Sequence, residues 1–153
     1  MHEIYAHEHP RGARNCPSIF LAGPSPRGQE NYNWRPEALE YLKNRRFKGV
    51  VFVPLPRDGV WLENWDAQAQ WEVDYLDRST VIAFWVPRDM QHLPGLTTNI
   101  EFGLYAQSGK AVLGYPKSAS YTRYMHFTAE RFNIPVFHTL RETLGEALRR
   151  TRR

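Results

Sequence analysis

Short, unbroken apolar runs alternate along the chain with longer amphipathic stretches. Ser18-Ile19-Phe20-Leu21-Ala22, Gly49-Val50-Val51-Phe52-Val53, Val81-Ile82-Ala83-Phe84-Trp85-Val86 and Ala111-Val112-Leu113-Gly114 have the length and content of strands buried on both faces. Pro135-Val136-Phe137 is a shorter candidate, and Ile4-Tyr5-Ala6 could form an edge strand in an otherwise irregular extension over 1–15. The apolar spacing predicts helices over 35–47, 67–77, 121–132 and 141–149. A further helix opens after Pro94 and runs to Ser108-Gly109. Leu39 and Leu42 give the first helix its inner face, and Pro36 falls in its first turn, where proline is tolerated. Trp71 and Tyr75, one turn apart, give the second helix a core stripe.

Strands that alternate with helices form a parallel sheet covered on both faces. Right-handed crossovers then favour a doubly wound, flavodoxin- or Rossmann-like α/β fold of about five strands with flanking helices. Ligands in such sheets lie beyond the carboxyl ends of the strands. The loops that qualify are 23–28, 54–66, 87–98 and 115–121.

Composition narrows the class. The 153 residues fit one domain with a real core, 42% hydrophobic and 14% aromatic, which excludes disorder. Five Trp residues are many for this length, and some are suited to lining a ligand pocket. One cysteine, Cys16, excludes an internal disulfide framework and a multi-cysteine zinc site. No apolar run is long enough for a membrane span and no signal peptide opens the chain, so the expected location is cytoplasmic. The net charge of +4 comes partly from a basic tail, 149–153, read as a solvated end; a nucleic-acid partner is not expected. His2, His7 and His9 lie close together, without the spacing or carboxylate partner of a metal site. No HExxH, CxxC or Ser-His-Asp order occurs, so neither a metal nor a cofactor is expected.

Four places could carry chemistry. Thr98 followed by Glu101 is a capping-box pattern, so Glu101 is either a helix cap or a carboxylate aimed into a cleft. Glu72 is either a solvated helix residue or a second cleft carboxylate. The loop Gly23-Pro24-Ser25-Pro26-Arg27-Gly28 lacks the P-loop lysine and the dinucleotide glycine pattern. It can still offer backbone N–H groups, the Ser25 hydroxyl and the Arg27 guanidinium to a phosphate or ribose, or be only a rigid turn. Asp89 either pairs with Arg88 or acts at the strand end.

Several of these segments, taken in order, carry a resemblance. They are Ile19-Phe20-Leu21-Ala22-Gly23-Pro24-Ser25-Pro26-Arg27, Trp71-Glu72, Phe84-Trp85-Val86-Pro87-Arg88-Asp89, Thr97-Thr98-Asn99-Ile100-Glu101-Phe102-Gly103 and Gly109-Lys110-Ala111-Val112-Leu113-Gly114. Together, over roughly 19–116, the chain resembles the nucleoside 2-deoxyribosyltransferase-like family, whose relatives include nucleotide N-glycoside hydrolases. The resemblance implies that Glu101 attacks the anomeric carbon and that Glu72 is a second carboxylate near the nucleobase. It implies substrate contacts from Phe20, Gly23, Ser25, Arg27, Asp89, Thr98 and Asn99. The classical transferases carry a tyrosine where this chain has Phe20, and an aspartate where it has Gly95-Leu96-Thr97. The Ser25-Pro26-Arg27-Gly28 loop resembles that of the phosphate-preferring hydrolases. The expected activity is therefore cleavage or transfer at the N-glycosidic bond of a nucleoside or nucleoside 5′-monophosphate. A nucleotide-sensing domain without turnover and an NAD glycohydrolase are the alternatives. The resemblance also implies a homo-oligomer, a dimer or higher, with 121–126 as the segment offered to a neighbouring subunit.

Overall fold

The computed structural model describes residues 1–10, 16–26, 32–61 and 63–152. Its centre is a parallel sheet of six strands: β1 His2–Tyr5, β2 Ser18–Ala22, β3 Val50–Val53, β4 Val81–Trp85, β5 Ala111–Gly114 and β6 Val136–Phe137, in the order β1-β3-β2-β4-β5-β6. Strands β3-β2-β4-β5-β6 follow the flavodoxin-like doubly wound order. The sixth strand is β1, added at the edge with His2 opposite Val50 and Tyr5 opposite Val53. The segment expected to be irregular thus begins as a strand. An edge strand has one neighbour and buries little, so its sequence shows no apolar run.

Five helices cover the sheet: α1 Arg35–Asn44, α2 Trp65–Arg78, α3 Leu96–Tyr105, α4 Arg123–Arg131 and α5 Leu140–Arg150, with a 3₁₀ turn at Ala106–Ser108. Alternate residues of the strands feed two cores. Ile19, Leu21 and Val112 pack under α1 and α5. Phe20, Ala22, Phe84 and Leu113 pack under α2, α3 and α4. The α2 stripe of Trp71 and Tyr75 stacks on Phe20 and Phe52, and Phe102 of α3 meets Phe84 edge-on at 5.2 Å. No helix is long and apolar enough to cross a membrane among the described residues.

Two details differ from the expected pattern. Helix α3 starts at Leu96 with Gly95 as its N-cap residue, and no side chain caps it. Thr98 therefore lies inside the first turn, and the capping box does not form. The reason is local: Gly95 adopts φ +54°, which glycine takes freely, so the helix begins two residues before Thr98. The basic tail is also not wholly a solvated end. Arg149 and Arg150 belong to α5 and both bond Glu146, at 2.7 and 2.9 Å.

At their C-terminal ends α2 and α3 are tied together. Tyr105 donates to Asp77 Oδ1 at 2.7 Å, and Lys110 Nζ donates to the Asp77 carbonyl at 2.6 Å.

Candidate active site

At the carboxyl end of β2 the chain turns at Gly23, whose φ is +146°. A Cβ there would lie 2.0 Å from the Trp85 carbonyl oxygen, so only glycine lets β2 and β4 end this close together. Helix α1 then grips the loop. Trp34 Nε1 donates to the Pro24 carbonyl at 3.1 Å. Arg35 donates from Nε to Leu21 O at 3.3 Å, from Nη1 to Pro24 O at 3.2 Å and from Nη2 to Gly23 O at 2.8 Å. The guanidinium also lies over the Trp34 ring at 4.6 Å. Arg35 is almost wholly buried, at 1% exposure, and no carboxylate is within ion-pair distance among the described residues. Burial pushes its pKa down to about 10, partly offset by the charges of Glu101 and Glu72, so it remains a cation at neutral pH.

The start of α3 rests on the same loop. A Cβ on Gly95 would lie 2.6 Å from Pro24 Cγ, so the bare glycine sets how closely the helix approaches. Thr97 and Thr98 occupy the first turn and Glu101 the next. Helix α2 presents Glu72 beside its buried Trp71. Gln68, one turn earlier, donates from Nε2 to Glu72 Oε1 at 2.5 Å. The N-terminus of α2 is capped by Asn64, whose side chain accepts from the Ala67 N–H at 3.1 Å.

These elements enclose a cleft of about 410 Å³. Gly23, Pro24 and Ser25 form one wall, and Glu72, Thr98 and Glu101 line the floor. Trp61, Trp65 and Leu96 stand at its rim, with Trp61 and Trp65 half or more exposed. Two apolar rings beside two carboxyls suit a flat, partly polar ligand.

The Glu72 and Glu101 carboxyls line the same cleft, close enough for each to influence the other's titration. Glu101 is pushed up to about 7, first by burial and then by the charge of Glu72, while Arg35 opposes the shift. Glu72 is also raised by burial, against the Gln68 hydrogen bond and the influence of Arg35, Glu101 and His7. Burial of both groups and the charge of Glu72 on Glu101 therefore leave the pair holding one proton toward neutral pH.

The remaining sequence-selected residues divide plainly. Gly23, Ser25 and Thr98 join Glu72 and Glu101 in the cleft. Phe20 is buried beneath Trp71, and Asp89 is exposed, accepting from the Gln91 N–H at 2.9 Å and bonded to His92 Nδ1 at 2.7 Å. Neither lines the cleft. Arg88 does not pair with Asp89: it is buried and donates to Tyr121 O, Gly95 O and Asn99 Oδ1, the last at 2.6 Å. Asn99 consequently sits on the other side of α3, in a hollow of about 310 Å³ with Tyr121 and Tyr124. Arg27 lies outside the described residues. Arg35 and Gln68 escaped the sequence reading, since one arginine at a helix start and one glutamine a turn before a glutamate carry no signal of burial. No group of three or more His, Cys, Asp or Glu side chains is placed to hold a metal ion among the described residues.

Comparison with known proteins agrees with this geometry. No curated protein matches the chain. A family model described as nucleoside 2-deoxyribosyltransferase like matches residues 16–119, from just before β2 to just past β5. That span holds both cleft carboxylates, the Gly23 loop and Arg35, and membership implies a small-molecule nucleoside as the class of substrate. The chain belongs to the nucleoside 2-deoxyribosyltransferase-like family.

Proposed function

We propose that the protein cleaves the N-glycosidic bond of a nucleoside or nucleoside 5′-monophosphate, with Glu101 as nucleophile, Glu72 as acid and base, and water as the usual acceptor. One observation carries this reading: two carboxyls from different helices lie together at the floor of an aromatic-rimmed cleft, near a buried arginine. In the reactive arrangement the shared proton sits on Glu72 and Glu101 is ionised. Glu101 attacks the anomeric carbon as the C–N electron pair leaves with the base, which takes the proton from Glu72. Water then attacks the same carbon, gives its proton to Glu72 and releases Glu101. The charge that develops on the sugar is matched by the Glu101 carboxylate, and Arg35 keeps that carboxylate accessible by favouring its ionised form.

The Ser25 hydroxyl at the cleft wall is suited to a sugar or 5′-phosphate, and Arg27, two residues on in the sequence, has the charge that a phosphate calls for. A homo-oligomer is part of the same reading. Helix α3 exposes Leu96, Ile100 and Leu104 at one per turn, and Tyr121, Tyr124 and Phe127 stand exposed around α4. A second copy seated there would close the cleft rim at Leu96. Its presence is checked by sedimentation of the wild type against Ile100→Glu.

The deciding experiment incubates wild type and Glu101→Gln with a panel of ribo- and deoxyribonucleosides, their 5′-monophosphates and NAD, and measures free base. Release by the wild type alone, with ligand still bound by the Gln variant, is the expected result. Equal rates in both would remove Glu101 from the chemistry. Binding without release from any member would leave a nucleotide-sensing domain.

A further inference from the structure

His7 lies on the segment ahead of the family-matching region and plays no part in the scheme above. It adopts φ +68°, a left-handed conformation uncommon outside glycine, though asparagine, aspartate and histidine take it more often than other side chains. Contacts on both sides hold it there. The Trp71 indole donates to the Glu8 carbonyl at 2.9 Å, and His9 Nδ1 bonds the Tyr75 hydroxyl at 2.8 Å. The Tyr5 N–H donates to Glu8 Oε2 at 3.0 Å, and Arg57 grips both oxygens of Glu8, at 2.7 and 3.0 Å. The turn is thus fastened to the same face of α2 that carries the core stripe.

What the strain accomplishes is to bury His7 Nε2, which has no hydrogen-bond partner among the described residues. Gln68 Oε1 is buried and unpartnered as well, while the other end of that amide holds Glu72. Glu8 meets Trp71 and His9 meets Tyr75, so the turn runs along α2 and His7 comes next toward its Gln68 and Glu72 turn. Buried polar atoms are costly to leave unpaired, so two of them on these facing segments indicate a place for a bridging water. The other side of His7 lines an open hollow of about 500 Å³ with Pro56, Arg57 and Val60.

We propose that His7 is a positioning residue of the carboxyl pair. Its inward Nε2, through one water shared with Gln68, supplies Glu72 with the hydrogen-bond partner it needs while it alternates between acid and carboxylate. This rests on the proposed function. No proton passes through the imidazole: it holds the bridging water in place beside Glu72 while the base departs and until the attacking water returns a proton to that carboxyl. Other charges face the site from every side. Glu8 lies on the same segment and Arg57 and Asp58 on the loop after β3, with Glu101 on α3 and Arg35 on α1 beyond Glu72. All remain when only His7 is changed.

The test uses His7→Asn, because asparagine tolerates the left-handed turn, and His7→Gly, which removes the strain altogether. His9→Asn serves as control: it lies on the same turn but faces Tyr75. Two quantities are measured. One is the pH profile of kcat/KM for base release; the other is the titration of the Glu72 and Glu101 carboxyls in the ligand-free protein, followed by carbon NMR. Both His7 variants are expected to move the profile and the carboxyl titration to higher pH, and His9→Asn to move neither. A titration unchanged in both His7 variants, or shifted equally by His9→Asn, overturns the inference. Absence of base release from wild type would count against the proposed function, while the carboxyl titration still reports on His7.

Discussion

Glu72 and Glu101 reach one cleft from different helices, and each carboxyl influences the titration of the other. Two acids placed so closely titrate as a unit. The reactive unit is the singly protonated pair, one group attacking while the other protonates. As Glu101 is pushed up to about 7, the last proton leaves near neutrality. For a natural nucleoside, kcat/KM should trace a bell whose alkaline limb falls near pH 7, with the acid limb where both carboxyls are protonated. Stopped assays from pH 4 to 9 give the profile. A rate that keeps rising above pH 8 would mean that no carboxyl proton is used.

Glu72→Gln separates the two roles. Glutamine cannot give a proton to the departing base, so natural substrates should slow by about a hundredfold or more. A nitrophenyl deoxyriboside has a leaving group that needs no protonation and should be nearly spared. Glu101→Gln should lose both. Equal slowing of both substrates by Glu72→Gln would leave Glu72 a purely structural side chain.

Arg35 joins structure to charge, and two substitutions part them. Arg35→Lys keeps the cation but reaches fewer of the carbonyls of Leu21, Gly23 and Pro24. It should lower stability by about 1–3 kcal/mol while leaving the pH profile in place. Arg35→Met also removes the charge that favours ionised Glu101 and Glu72, so its profile should move to higher pH. Thermal unfolding and the rate profile, read together, check both halves.

Stability itself should carry the mark of the pair. A carboxyl whose folded pKa is raised binds its proton more tightly in the folded chain than in the unfolded one. That contribution is fully present below the unfolded value near 4.3 and is lost as pH rises through about 7. Wild type should therefore lose Tm relative to Glu101→Gln between pH 5 and 8, by roughly 2–4 °C for each kcal/mol in a chain of this size. Parallel Tm curves for the two proteins would show that Glu101 titrates normally.

Much of this was legible before any coordinates. The runs at Ile19, Val50 and Val81 are continuous because both faces of those strands are covered, and burial of that kind leaves an unmistakable apolar block. Glu101 and Glu72 could be selected because both sit next to core residues, Phe102 and Trp71, so their helices had to bring them near the sheet. The helix start after Pro94 was legible, but the capping box was not real: Thr98 and Glu101 only imitate one, and the start is set by the backbone conformation of Gly95. Asn99 was grouped with the cleft by adjacency, yet one residue along a helix turns a side chain by about 100°, enough to carry it to Arg88. Arg35 and His7 were invisible for a deeper reason. Their roles depend on loops and edges meeting in space, and neither is encoded in local periodicity.

The bond from Tyr105 to Asp77 has a mechanical meaning. It fixes α2 against α3 at one end, while the two carboxyls line the shared cleft further along the same helices. The helices thus resemble tongs with a pinned joint. Any change in the gap between the jaws would change the repulsion between the two acids, and with it how firmly the pair holds a proton. A guest wedged between Trp65 and Leu96 would therefore bear on the acids beneath it through its thickness as well as its chemistry.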